Sequence, residues 1–276
     1  MTLERLAPLR DGLAAHGLDA RKAFGQHFLL DLNITAKIAR LAGPFDQGVV
    51  IEVGPGPGGL TRGLLQAGAR VIAIERDARF APMLAELAEA AEGRLKVIQG
   101  DALAMDETHL VSADEPVRIV ANLPYNISAP LLIKWLTGPL HPVSMTLMFQ
   151  KEVADRITAQ PGQSAYGRLS VIARAVSTPE TIMALPARAF TPPPKVESAV
   201  VRFTPKADRP SDALLGALQR VTAAAFGQRR KMLRSSLKAV GGPALWEPAG
   251  IDPNLRAEVI PVDGFLALAS AALTLA

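Results

Sequence analysis

The sequence predicts an α/β fold, a mostly parallel, doubly wound sheet followed by a small helical domain. Three observations carry that expectation. Short β-branched runs alternate with helical stretches through the first two-thirds of the 276 residues, the pattern that crossover connections produce. The first clear run, Val49–Val53, enters a glycine-rich turn that opens a helix, as strands do at the ligand edge of such sheets. After Thr204–Ser211, rich in proline and charge, the composition becomes helical only. The hydrophobic share of 49% is ample for a large core and excludes global disorder.

The elements follow in order. Strands are expected at Val49–Val53, Arg70–Glu75, Leu95–Gln99, Val117–Ala121 and Met145–Phe149, each a short apolar run. Between them Leu60–Ala67, Ala78–Ala91 and Pro130–Thr137 carry apolar residues at helical spacing. Leu169–Val176 reads either as a helix or as a further strand, and Ser198–Phe203 as a final strand that an antiparallel place would suit. Asp212–Phe226 and Gln228–Val240 have helical composition, Gly241, Gly242 and Pro243 close the pair, and a last helix follows Asp263. The domains are therefore expected at 1–205 and 206–276, with the boundary near Lys206.

Composition removes several chemistries. There is no cysteine, hence no disulfide, thiolate zinc site, iron–sulfur cluster or cysteine nucleophile. The four histidines (His16, His27, His109 and His141) have no paired ligand spacing, so no metal site is expected. A net charge of +4 permits a nucleic-acid partner without demanding one. Met1–Arg10 has no apolar targeting core, and the longest apolar run, Phe265–Ala276, has 12 residues, too few to span a bilayer. A cytoplasmic protein without membrane attachment is expected.

The glycine turn is Gly54-Pro55-Gly56-Pro57-Gly58-Gly59, and Gly54-x-Gly56-x-x-Gly59 matches the dinucleotide fingerprint. Glu75 lies 21 residues after Gly54, at the end of the second strand, where an acid accepts from ribose hydroxyls. Two neighbours redirect the reading. Glu52 sits inside the first strand, a costly place for an acid without a cationic partner. Asp101 follows the third strand and brings another acid to the same sheet edge. Three acids repel a pyrophosphate and suit a nucleoside with cationic groups. S-adenosylmethionine, with its sulfonium, ammonium and ribose, fits better than a nicotinamide dinucleotide.

After the fourth strand comes Asn122-Leu123-Pro124-Tyr125. The amine on adenine has a delocalised lone pair and must become more tetrahedral to attack a methyl group. Acceptors on its hydrogens help, and the Asn122 side-chain carbonyl with the main-chain carbonyl of Leu123 or Pro124 supply them. Pro124 stiffens the turn, and Tyr125 offers a face to a base taken out of its helix. A methylsulfonium is a good donor, so positioning rather than a strong base is what the reaction requires.

With these residues placed, the sequence resembles the ribosomal RNA adenine dimethyltransferase family, in particular its bacterial small-subunit branch linked to kasugamycin sensitivity. The resemblance runs from about Lys22 to the C-terminal helices. Four segments carry it in order: Lys22–Leu29 (Lys-Ala-Phe-Gly-Gln-His-Phe-Leu), Glu52–Gly56 (Glu-Val-Gly-Pro-Gly), Asn122–Ser128 (Asn-Leu-Pro-Tyr-Asn-Ile-Ser) and Phe190–Ser198 (Phe-Thr-Pro-Pro-Pro-Lys-Val-Glu-Ser). It implies a Rossmann-like, seven-stranded class I methyltransferase sheet with a small helical C-terminal domain. The implied activity is S-adenosylmethionine-dependent dimethylation of two adjacent adenosines near the 3′ end of 16S ribosomal RNA during assembly of the small subunit; a monomer is expected. By position, the resemblance implies cofactor contacts from His27, Leu29, Gly54, Glu75, Asp101 and Asn122, beside Glu52 inside the first strand and Gly56 of the glycine turn. Glu75 would hold the ribose and Asp101 the adenine amine, with the Leu29 segment closing over both. Asn122, Leu123, Pro124 and Tyr125 would hold the target adenine, with Phe190 a second stacking face. The family often has Asn where this chain has His27, whose imidazole can still make one hydrogen bond.

Arg229, Arg230, Lys231, Arg234 and Lys238 are five positive charges with no acid among them. On a helix Arg230, Arg234 and Lys238 form one stripe, suited to phosphates of ribosomal RNA, with Met232, Leu233 and Leu237 turned into the small domain. Arg21, Lys22 and Lys195 extend the basic surface toward the pocket. Other readings are an assembly factor whose RNA binding matters more than methylation, and a large-subunit adenine methyltransferase of the macrolide-resistance type. The forms of the last two motifs favour the small-subunit enzyme, and a nicotinamide dehydrogenase is the remote alternative.

Overall fold

The computed structural model describes residues 2–20, 26–228 and 230–275. Arg21, the first four residues of the Lys22–Leu29 motif and Arg229 thus lie outside the described residues. The chain divides into two compact units, one of Met1–Leu132, Pro139–Ala154 and Glu180–Phe203, the other of Ile133–Gly138, Asp155–Pro179 and Thr204–Ala276. The second unit includes, besides the stretch that composition marks after Lys206, two earlier segments.

A seven-stranded sheet organises the first unit. Its strands are β2 (Val49–Val53), β3 (Val71–Glu75), β4 (Leu95–Gln99), β5 (Val117–Asn122), β6 (Ser144–Gln150), β7 (Ser177–Leu185) and β9 (Ser198–Pro205), in the order β4-β3-β2-β5-β6-β9-β7. The pairs from β4 to β6 are parallel, and β9 lies antiparallel on β6, with Met145 opposite Phe203 and Gln150 opposite Ser198. Helices α3 (Gly59–Gln66), α4 (Ala81–Ala90) and α5 (Ser128–Thr137) make the crossovers. Strands β2 and β3 are buried throughout, as parallel strands covered on both faces must be. Outside the sheet, a two-residue strand β1 (Phe28–Leu29) pairs with β8 (Phe190–Thr191), between α1 (Leu9–Ala15) and α2 (Leu32–Ala42) in sequence for β1. Asp31 caps α2, its carboxylate accepting from the Asn33 N–H at 2.8 Å.

The chain runs outward from β2 through β3 to β4, then returns to set β5 on the other flank of β2. Strand order therefore reverses between β2 and β5, and a crevice opens past their carboxyl ends. The glycine turn and Asn122 are the residues that leave those two ends.

In the second unit α7 (Arg168–Val176) resolves the open choice for that segment as a helix. Helix α6 (Lys151–Thr158) precedes it, and α8 (Asp212–Gly227), α9 (Leu233–Ser236), α10 (Pro243–Ala249) and α11 (Val262–Thr274) follow. Ser211 caps α8 through the Leu214 N–H, and Phe226 packs on Phe265 of α11 with ring centroids 5.4 Å apart. Tyr166, fully buried, donates its hydroxyl proton to the Ile260 carbonyl at 2.9 Å.

One expected helix does not form. Among the described residues of 228–240, the helical elements are the single turn α9 and a short 3₁₀ turn at Lys238–Val240. The backbone instead bonds sideways: Leu233 N–H to the Leu255 carbonyl at 2.8 Å, Arg234 N–H to Pro253 at 2.9 Å, and Met232 bridges Arg256. Burial of Leu233 and Leu237 anchors this path, so tertiary packing overrides helix propensity after Gly227. Met232, expected to turn inward, is exposed. Among the described residues, no helix is long and apolar enough to cross a membrane, and no group of three or more His, Asp or Glu side chains is placed to hold a metal ion.

Candidate active site

The site forms where β2 ends. Gly54, Gly56 and Gly58 have φ of 70°, 54° and 84°, left-handed values that glycine adopts without strain. A Cβ on Gly59, the first residue of α3, would stand 2.5 Å from the Leu29 carbonyl oxygen. The turn thus needs glycine both for its path and for the close approach of β1.

Glu75, at the end of β3, is buried and grips this turn. Its Oε2 accepts the Gly56 N–H at 2.9 Å and its Oε1 the Asp77 N–H at 2.7 Å. Burial pushes its carboxyl above the ordinary range, and these backbone donors pull the other way. Glu52, 1% exposed within β2, has the sharper problem: its Oε2 has no hydrogen-bond partner. Burial pushes the carboxyl up to about 8; the neighbouring Thr61 hydroxyl opposes the rise and the Glu75 charge adds to it. Thr61 Oγ1 is likewise buried without a hydrogen-bond partner. Asp101, past β4, accepts the Leu103 N–H at 3.0 Å and pairs with Arg76 at 3.1 Å.

These groups line one pocket of about 1030 Å³, counting the part open to solvent. His27, Leu29, Glu52, Gly54 and Gly56 are in its wall, and so are Glu75, Asp101, Asn122, Leu123 and Pro124. The amide of Asn122 donates from Nδ2 to the His27 carbonyl at 3.3 Å. The His27 ring donates from Nδ1 to the Pro192 carbonyl at 2.8 Å and stacks on Tyr125, centroids 5.4 Å apart at 28°. Tyr125 therefore borders the site through His27 without lining the pocket itself. Phe190 is not brought there: pairing of β8 with β1 turns its side chain into the core with Leu29, Leu60 and Leu64, 3% exposed.

Comparisons with known proteins show which family the chain belongs to. The model of a family described as ribosomal RNA adenine dimethylase matches residues 17–272. The chain belongs to that family. A relative from Phenylobacterium zucineum, named ribosomal RNA small subunit methyltransferase A, is 68% identical over 98% of this chain and 94% of its own length. The protein of the same name from Caulobacter vibrioides is 65% identical, over 92% of this chain and 98% of its own. Among solved structures, a dimethyladenosine transferase from Plasmodium falciparum is similar with a TM-score of 0.71 at 28% identity, covering 88% of this chain and 96% of that one. The 23S rRNA methyltransferase ErmE has a TM-score of 0.66 at 26% identity, covering 88% and 98%.

In this dimethylase-family pocket, sequence reasoning missed Asp77 and Gln26. Burial alone would raise the Asp77 carboxyl, but hydrogen bonds from Arg79 and Gln26 outweigh it and hold the group below its ordinary value. The Arg79 pair closes at 2.6 Å and the Gln26 amide at 3.1 Å. A signal was present, since Asp77 precedes a helical run, yet it pointed to a cap, which Asp77 also is. In the second unit Arg230, Lys231, Arg234 and Lys238 are all exposed. They lie on a turn, α9 and a 3₁₀ segment rather than on the single helical stripe their spacing suggested.

Proposed function

We propose that this chain dimethylates the exocyclic amines of two adjacent adenosines near the 3′ end of small-subunit ribosomal RNA during ribosome assembly, with S-adenosylmethionine as donor. One observation carries the reading: Asn122, Leu123 and Pro124 stand in the wall of the pocket that holds the glycine turn and the three acids. Donor cradle and acceptor motif share one cavity. The residues fit the donor. Glu52 Oε2 is an orphaned acceptor for a cation, the glycine turn leaves open space, and the acids Glu52, Glu75 and Asp101 in the lining disfavour a pyrophosphate. When bound, the donor supplies a methyl group on sulfonium, a leaving group that calls for no strong base.

The chain's own residues then do the positioning. With Nδ2 tied to His27, the Oδ1 of Asn122 is the end that accepts from the target amine. The Pro124 carbonyl already takes the Ile127 N–H at 3.1 Å, which favours the Leu123 carbonyl as second acceptor. Both hydrogens of the amine are thereby drawn toward oxygen, and its nitrogen gains the tetrahedral character that attack requires. Tyr125 supplies the stacking face. Residues 206–276 form the RNA-binding domain, where Arg230, Lys231, Arg234 and Lys238, with Arg229, meet phosphates. The protein works as a cytoplasmic monomer on the small subunit. The names of the relatives at 68% and 65% identity support the small subunit over the large-subunit substrate of ErmE.

The test is purified protein with labelled S-adenosylmethionine and unmethylated small subunits, the modified positions mapped on the RNA. Dimethyladenosine at two adjacent sites is expected, and Asn122→Ala should abolish it while still binding subunits. Label absent from the RNA, or found in large-subunit RNA, overturns the reading.

A further inference from the structure

Two of the motifs end in serine, Asn-Leu-Pro-Tyr-Asn-Ile-Ser at Ser128 and Pro-Pro-Pro-Lys-Val-Glu-Ser at Ser198. Neither serine lines the pocket, and neither has a part in holding donor or base. Both are 1% exposed. Both bond to the same residue: Ser198 Oγ lies 2.7 Å from the Tyr125 hydroxyl, and Ser128 Oγ donates to the Tyr125 carbonyl at 3.1 Å. Ser198 is itself fixed at the end of the β6–β9 ladder, opposite Gln150, with the neighbouring Glu197 carbonyl taking the Lys151 N–H at 2.9 Å.

We infer that Ser198 and Ser128 are positioning residues for methyl transfer, clamping Tyr125 at its phenol and at its backbone so that its ring is preset for the incoming base. The inference rests on the reading of Tyr125 as the stacking face. Phenylalanine would give the same face with no polar atom to satisfy, so a tyrosine here is explained only if its hydroxyl is used. The use the geometry shows is attachment to the sheet. The phenol bond fixes the ring at its far end and the carbonyl bond fixes the turn that carries it. The ring is then ordered before substrate arrives, and the transition state need not bear that cost.

The experiment measures kcat and KM on unmethylated small subunits for Ser198→Ala, Tyr125→Phe and the double variant. Each single change removes the same hydrogen bond from opposite ends, and Tyr125→Phe leaves β9 untouched. Each is expected to lower kcat about three- to tenfold, with KM for S-adenosylmethionine unchanged and the double variant no slower than either. The chain has two tyrosines, Tyr125 and Tyr166. In protein labelled with 13C at the tyrosine Cζ, Ser198→Ala should therefore move one resonance and leave the other. Parental kcat in Ser198→Ala, or effects that multiply in the double variant, would overturn the clamp. Parental kcat in Tyr125→Ala would instead overturn the stacking reading beneath it.

Discussion

Replacing Glu52 by glutamine removes a charge while keeping the side chain's shape, and the structure sets the size of the effect. Burial pushes the Glu52 carboxyl up to about 8 from its ordinary 4.5. Folding therefore takes up a proton between those two values, and stability falls as pH rises through that window. Below 4.5 the group is protonated whether the chain is folded or not, and no penalty exists. Above about 8 it is ionised in both states and the penalty is complete, about 5 kcal/mol at 1.36 kcal/mol per pH unit. At pH 7 the cost to the folded protein is about 3 kcal/mol on the same basis. Urea unfolding of parent and Glu52→Gln side by side from pH 5 to 9 measures it. Asp77 is common to both, so its titration cancels in the difference, whereas Glu75 feels the Glu52 charge and the difference reports the coupled pair. The variant should gain stability relative to the parent by about 1.4 kcal/mol per pH unit between 5 and 8, then level off. It should also bind S-adenosylmethionine more weakly, because the acid that a cation would ionise is gone. A difference flat across pH 5 to 8 would falsify this account and mean that Glu52 is ionised beside a partner already.

Gly59→Ala should cost about 1–3 kcal/mol by overpacking, read as a lowered unfolding midpoint, because its Cβ meets the Leu29 carbonyl at 2.5 Å; an unchanged midpoint would show that β1 yields freely. Arg76→Ala opens an ion pair with Asp101 whose side chains are 65% and 34% exposed, so stability should change by less than about 1 kcal/mol. Calorimetry should at the same time find altered donor affinity, since Asp101 loses its partner. Arg230→Ala with Arg234→Ala should weaken RNA binding for any sequence and reduce the slope of log affinity against log salt by about 1 to 2. An unchanged slope would remove these residues from phosphate contact.

How much was legible in advance follows from what each segment buries. The runs Val49–Val53 and Leu95–Gln99 match the observed strands to the residue, and β2 is buried on both faces, as a plain apolar run announces. Strand β7 was not anticipated because Pro179 interrupts it; at the sheet edge, where β7 lies, a missing backbone donor is tolerated. The basic segment after Gly227 was misjudged because the bonds that decide its path come from Pro253 and Leu255, beyond any local pattern. In the site, glycines and acids were visible because their residue types are costly where they stand. The inward turn of Phe190 was not, since it depends on a two-residue pairing with Phe28 and Leu29, far away in the chain. Asp77 stayed hidden behind its own role as a cap.

The adjacency of β2 and β5 has a bearing on how this family could diversify. The glycine turn and Asn122 are joined by no loop of their own; the parallel ladder that sets Val49 beside Val117 and Ile51 beside Ile119 holds them at the spacing of neighbouring strands. The relative position of the two loops is thus set by backbone rungs, which no side-chain substitution removes. Side chains on either loop are free to change which donor or which base is held, and how tightly. An altered loop can therefore be grafted after β5 with its distance from the glycine turn kept by the ladder.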